Sequence, residues 1–176
     1  MKFLKDNTMV DIREAKEKDA AKLLDYFKMV GSESPFLLID ERGLDISLDE
    51  EIEYLSKANK SEDIKYFIAL AKDEIIGEVA LVCHKHDKTK HNADLAVTVK
   101  KAYWHKGLGS KLMEHAINYA RITGKIKNIY LEVREDNINA IKLYEKFNFK
   151  QVGKMPGKIY QEGKYLAEYV YLLQIA

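Results

Sequence analysis

A chain of 176 residues that is 47% apolar and 32% charged has the make-up of one folded domain, not of a disordered tail. A formal net charge of +1 gives no global field for nucleic acid or an acidic membrane. The single cysteine, Cys83, excludes an internal disulfide, and no apolar run reaches membrane-spanning or signal-peptide length, so the composition predicts one soluble cytoplasmic domain over residues 1–176.

Val10-Asp11-Ile12-Arg13 alternates and predicts a first strand. Lys18 to Val30 carries Ala21, Leu23, Leu24 and Phe27 at helical spacing, with Gly31 where a helix stop is expected. Pro35 argues against a long helix in 32–45, and Leu48 to Leu55 predicts a second helix with acids in its first turn. Ile64 to Ala71 and Ile75 to Cys83 predict a hairpin turning at Lys72-Asp73-Glu74, with Cys83 as a small buried hydrophobe. The polar loop that follows holds His84, His86 and His91 without an accompanying acidic or thiol cluster, and no metal site is assigned to it.

Ala93 to Val99 alternates as a strand, and a basic turn leads from it to Gly107-Leu108-Gly109-Ser110. A helix is expected to about Thr123, with Leu108, Leu112, Met113, Ala116, Ile117 and Ala120 on one face and Gly124 as its stop. Asn128 to Val133 predicts a central strand and Asn137 to Lys146 a helix with Ala140, Ile141, Leu143, Tyr144 and Phe147 inward. Phe149 to Val152 and Leu166 to Leu173 predict two closing strands around a loop with Pro156, Gly157 and Gly163. The fold class is α+β, a three-layer arrangement with a mixed, largely antiparallel sheet of about seven strands and helices on both faces.

A strand, a glycine turn and a helix N-terminus suit a pyrophosphate, because unpaired N–H groups and the helix dipole both favour an anion there. The dinucleotide fingerprint is excluded, since its third glycine would fall at Leu112, and Gly109-Ser110-Lys111 has the wrong order for a P-loop.

The string from Glu132 to Phe149, with Asn137-x-x-Ala140-x-x-x-Tyr144, joined to Tyr103-Trp104-His105-Lys106-Gly107-Leu108-Gly109-Ser110, resembles the GNAT N-acetyltransferase superfamily. Two departures stand out. Trp104 occupies a position where the family usually has Arg or Gln, and is expected to pack locally. Asn148 replaces the glycine of the closing motif, and asparagine is the residue that best keeps the left-handed conformation after glycine.

The resemblance implies acetyl-CoA as donor and a primary amine as acceptor, with no metal. The main chain of His105, Lys106, Gly107, Leu108, Gly109 and Ser110 would hold the pyrophosphate. That of Val97, Thr98 and Val99 would pair with the pantetheine arm, and one N–H there, at Val97, would stabilise the oxyanion. The side chains of Val97 and Val99 belong to the core. Tyr144 would protonate the leaving thiolate and Asn137 contact the cofactor, although an inward tyrosine also suits a core and an asparagine there also suits an N-cap.

A base must take the ammonium proton. Glu132 interrupts an apolar strand, where an unpaired carboxylate is costly, and aligns with the base of enzymes resembling the ribosomal-protein alanine acetyltransferases. It equally suits an ion pair with Arg134 or Lys127. Asp94 is the alternative base and Glu78 the outsider. The function implied is an N-acetyltransferase acting on a small-molecule amine, polyamine, protein N-terminus or lysine by direct attack on the thioester. The competing function is a non-catalytic acyl-CoA-binding regulatory module. Residues 32–54 and 153–169, rich in Glu, Asp and Tyr, would wall the acceptor side and suit a cationic amine. Neither nucleic acid nor membrane is implied as a partner, and a homodimer stays open.

Overall fold

Period-two alternation builds strands close to where the sequence predicts them. The computed structural model describes residues 2–175. Its strands are β1 (Lys2–Phe3), β2 (Met9–Glu14), β3 (Ile64–Ala71), β4 (Glu74–Cys83), β5 (Asn92–Val99), β6 (Asn128–Arg134), β7 (Lys150–Gln161) and β8 (Lys164–Gln174). The helices are α1 (Ala20–Glu33), α2 (Leu48–Lys60), α3 (Leu108–Thr123) and α4 (Ile138–Lys146). The sheet is mixed and largely antiparallel, in the order β1-β2-β3-β4-β5-β6-β8-β7, and the two-residue β1 brings it to eight strands. The chain divides into two units, residues 2–82 with 96–118 and residues 83–95 with 119–175. Among the described residues no helix is long and apolar enough to cross a membrane.

In the first unit β2, β3 and β4 pair antiparallel. Lys72 and Asp73 both take positive φ (47° and 66°), which matches the twist of a two-residue hairpin turn. On β4, Ile75 pairs with Leu70 and Gly77 with Ala69, so Ile76 is an extra, bulged residue. One face of these strands carries Tyr66, Ile68 and Ile75, packed with Leu23, Tyr26 and Val30 of α1 and Leu55 of α2. The other face receives α3. A Cβ at Gly77 would lie 2.9 Å from Leu112 Cδ1 and 3.2 Å from Leu108 Cδ2, so only glycine admits the helix this closely. Every residue of the predicted α3 stripe is buried. Leu108, Leu112, Met113 and Ile117 each contribute roughly 1.5–3 kcal/mol, together well above the worth of a cap, so packing decides the position of this helix.

Gly31 is not a helix stop. α1 continues to Glu33, and a Cβ at Gly31 would lie 2.1 Å from the Asp40 carbonyl oxygen, so this glycine allows the 32–45 segment to cross the helix. α2 begins with a capping box, Ser47 Oγ accepting from Glu50 N–H while the Glu50 carboxylate accepts from Ser47 N–H.

In the second unit β6 pairs parallel to β5 over Asn92–Asp94 and antiparallel to β8 along its whole length, and β8 pairs with β7. The expected loop after Val152 is instead a long hairpin that turns at Glu162-Gly163, both at positive φ. Pro156 and Gly157 lie inside β7, where the register shifts between Met155 and Ile159 and proline's missing N–H disturbs no ladder. α4 is capped by Asn137, whose Oδ1 accepts from Ala140 N–H at 3.3 Å. It ends in Asn148 at φ 65°, with Phe149 N–H reaching back to the Tyr144 carbonyl at 3.2 Å. Asparagine fills the left-handed stop that the sequence assigned to it.

Candidate active site

In the first unit, the turn before α3 is built for exposed N–H groups. His105 and Gly107 take positive φ (60° and 90°), and the first helical bond runs from Lys111 N–H to the Gly107 carbonyl. The N–H groups of Leu108 and Gly109 precede that bond and so have no acceptor within the helix. The turn is tied down from both sides. Lys5 N–H donates to the Lys106 carbonyl, and Lys106 Nζ lies 2.9 Å from Asp6 and 5.2 Å from the Tyr103 ring centroid. The hydrogen bond from Lys106, with those from Thr8, holds the Asp6 carboxyl well below the usual range. Trp104 donates from Nε1 to the Val99 carbonyl at 2.7 Å, fastening the turn to the end of β5. Local packing is what its departure from the family pattern implies. An open turn whose Gly107 has nothing nearer a would-be Cβ than the Lys5 side chain at 3.9 Å fits a pyrophosphate.

Beside this turn, strand geometry assembles a second feature. β-Alternation points Glu78 away from α3, toward α1 and α2. It is 2% exposed. Thr98 Oγ1 donates to Glu78 Oε1 at 2.7 Å, and the Tyr26 hydroxyl lies 2.8 Å from the same Thr98 oxygen. Because Thr98 has one proton and spends it on Glu78, Tyr26 donates to Thr98. Burial raises the Glu78 carboxyl to about 8, more than the Thr98 bond lowers it, and Glu51 raises it further. Burial also pushes Tyr26 well above the usual phenol value, so it remains a neutral donor. A carboxyl that changes charge near pH 8 on the strand next to β5 is equipped to accept a proton.

In the second unit, Tyr144 sits on the inward face of α4, 8% exposed, between Phe149 and Tyr171 at ring separations of 6.1 and 6.5 Å. Burial raises its pKa to about 12. No hydrogen bond to its hydroxyl occurs among the described residues, and none of their buried polar side-chain atoms is both sealed and unpartnered. Ala140, Ile141, Leu143 and Phe147, expected inward with it, are half-buried.

Glu132 requires a correction. It points to the exposed face of β6, its side chain 51% accessible, with Lys158 Nζ at 3.7 Å. β6 alternates, so the acid that interrupts its apolar run lies on the open face and carries no burial cost, and Arg134 pairs with Asp136 rather than with Glu132. Asp94 is also exposed, at 67%, with His84 Nε2 3.3 Å away. Cys83 is buried at the end of β4. Among the described residues no group of three or more His, Cys, Asp or Glu side chains is arranged to hold a metal.

The model of the Acetyltransferase (GNAT) family matches residues 32–149. The chain belongs to the GNAT acetyltransferase family. A GNAT-family acetyltransferase structure from Streptococcus pneumoniae superposes with a TM-score of 0.92 at 32% identity, covering 95% of this chain and 100% of that one. YncA from Salmonella typhimurium, solved with its cofactor acetyl-CoA, shares the fold at a TM-score of 0.81 and 19% identity, covering 95% of this chain and 94% of that one. L-amino acid N-acetyltransferase AaaT of Escherichia coli is 26% identical over 60% of this chain and 65% of its own length. Spermine/spermidine N(1)-acetyltransferase of Bacillus subtilis is 39% identical over 32% of this chain and 38% of its own. The chain thus spans between about a third and two thirds of these two curated relatives.

Within this GNAT chain, the Thr98 side chain, Tyr26, Tyr54, Tyr66 and Glu51 join the neighbourhood of Glu78 without having been singled out in the sequence. Thr98 was assigned only its main chain. The signal for Glu51 was present: it lies on the i, i+4, i+7 stripe with Leu55 and Ala58 that α2 buries, but was read with Asp49 and Glu50 as a dipole-complementing first turn.

Proposed function

We propose that the chain is a single-domain N-acetyltransferase that moves an acetyl group from acetyl-CoA to a primary amine by direct attack of the amine on the thioester, with Glu78 as base. The observation that carries this is the buried Glu78 carboxyl, held by Thr98 and titrating near 8, in a chain of the GNAT family. Acetyl-CoA supplies the activated acetyl group and the thiolate leaving group. The main chain of His105 to Ser110 holds the pyrophosphate, and Val97 to Val99 offer main-chain groups to the pantetheine arm. Asn137 is assigned a cofactor contact in addition to its capping role.

An amine reaches the site as ammonium, and its charge favours the ionised form of Glu78. Glu78 takes one ammonium proton, directly or through a water, leaving a lone pair free to attack. The C–N bond forms, the nitrogen, now positively charged, gives its second proton to solvent, the C–S bond breaks, and the Tyr144 hydroxyl gives its proton to the departing sulfur, to be reprotonated from solvent. Glu132 and Asp94 are not needed as bases, since both are exposed and already placed beside Lys158 and His84.

The test is release of free CoA thiol from acetyl-CoA across a panel of primary amines. Turnover of at least one amine is expected. Acetyl-CoA binding without turnover on any would support a non-catalytic acyl-CoA-binding module instead.

A further inference from the structure

The mechanism above gives no step to the hydroxyls of Thr98 and Tyr26. Thr98 Oγ1 lies 2.7 Å from Glu78 Oε1 and 2.8 Å from the Tyr26 hydroxyl, and Glu78 and Tyr26 are both buried. The three side chains come from β5, β4 and α1 of one unit. Packing alone requires neither hydroxyl. Valine has the branched shape of threonine and stands on both sides of Thr98, and phenylalanine would fill the ring volume of Tyr26. Hydroxyls in such a place are unfavourable against their apolar counterparts unless they are bonded. The chain of bonds ends at Tyr26, whose hydroxyl has no other hydrogen-bond partner among the described residues. Burial keeps that phenol protonated, so the chain holds the carboxyl and does not conduct a proton away from it. Burial raises the Glu78 carboxyl, and the hydroxyl and the N–H of Thr98 both act against that rise. The other titratable groups in electrostatic reach of the trio are Glu51 and Tyr54 of α2, Glu33 of α1 and Tyr66 of β3.

We propose that Thr98 and Tyr26 are positioning residues of the acetyl transfer: Tyr26 donates to Thr98 and so commits the single Thr98 proton to Glu78 Oε1, which leaves Oε2 to take the ammonium proton. This rests on the reading of Glu78 as base. Without the Thr98 hydroxyl, the ionised carboxyl loses a charge-assisted hydrogen bond, and the protonated carboxyl loses less. Without the Tyr26 proton, Thr98 is free to turn its own toward another acceptor, and the hold on Glu78 weakens. Either loss leaves less of the carboxyl ionised near neutral pH. Glu51, Tyr54, Glu33 and Tyr66 stay in place in both cases, so a change in the titration of Glu78 belongs to the two hydroxyls.

The experiment is the pH profile of kcat/KM, with the best amine of the panel, for the wild type, Thr98→Val, Thr98→Ser and Tyr26→Phe. Thr98→Val should move the inflection upward from about 8 by about one unit. Its rate should then fall about tenfold near neutral pH and recover toward the wild-type value above the new inflection. Thr98→Ser keeps a hydroxyl and should keep the wild-type inflection, and Tyr26→Phe should raise it by roughly half a unit. An amine's own titration enters the rate near about pH 10, so the Glu78 carboxyl carbon is followed in parallel by carbon NMR, and its midpoint should move in the same order. Equal losses at every pH with the inflection in place, as a purely structural role would give, overturn the proposal, and so does no loss at all. Should Thr98→Val fail to fold, Tyr26→Phe decides by the same two readouts. A wild-type inflection that vanishes in Glu78→Gln but stays unmoved in Thr98→Val and Tyr26→Phe removes the positioning role and leaves Glu78 as base. An inflection that persists in Glu78→Gln, or turnover of no amine in the panel, removes both.

Discussion

Glu78 on β4 and Glu132 on β6 look alike in the sequence, each an acid inside an apolar stretch of strand, yet their surroundings are opposite. Glu78 faces α1 and α2, is buried and is held by Thr98, and its carboxyl rises to about 8. Glu132 stands on an open face beside the Lys158 ammonium. The difference teaches that a strand's composition does not reveal which of its faces is covered. Coverage is set by which helices pack where, and pKa follows coverage.

Substitution of each glutamate in turn is the sharpest way to break the comparison. Glu78→Gln should lower kcat/KM by roughly 10³, within the span of a lost general base. Glu132→Gln should change it by less than about twofold, as removal of an exposed charge usually does. A reversal of the two effects in steady-state assays would return the base to β6.

Tyr144→Phe extends the contrast to the buried polar group of the second unit. It should lower kcat by roughly 10² while leaving acetyl-CoA affinity, measured by calorimetry, nearly intact. Unchanged turnover would leave Tyr144 a core residue of α4.

A smaller effect concerns stability. Glu78 binds its proton more tightly folded than unfolded, so its contribution is fully present below the ordinary glutamate value of 4.5 and is lost as pH rises through about 8. Unfolding free energy in denaturant titrations should fall by roughly 3–5 kcal/mol across that window on this group's account. Glu78→Gln should flatten the slope. A slope that persists in the variant would assign it to other groups.

Much of the fold was legible because it follows from period and turn chemistry. The α3 stripe is buried residue for residue as its spacing requires, and Asn148 takes the left-handed stop. Where tertiary packing overrode local signals the reading went astray. Gly31 reads as a stop but serves the crossing of the 32–45 segment, and Pro156-Gly157 reads as a loop but sits in a strand irregularity. In the candidate site, the glycine turn and Tyr144 are carried by motifs, whereas the link between Glu78 and Thr98 joins residues 20 apart in sequence on separate strands. No local pattern encodes that meeting.

The central claim is tested most directly by the pH dependence of kcat/KM for the best amine found in the panel. A base titrating near 8 predicts a rate that climbs with unit slope and levels off above about pH 8, with that inflection absent in Glu78→Gln and retained in Glu132→Gln. A profile with no inflection near 8, or one that disappears in Glu132→Gln, would contradict it.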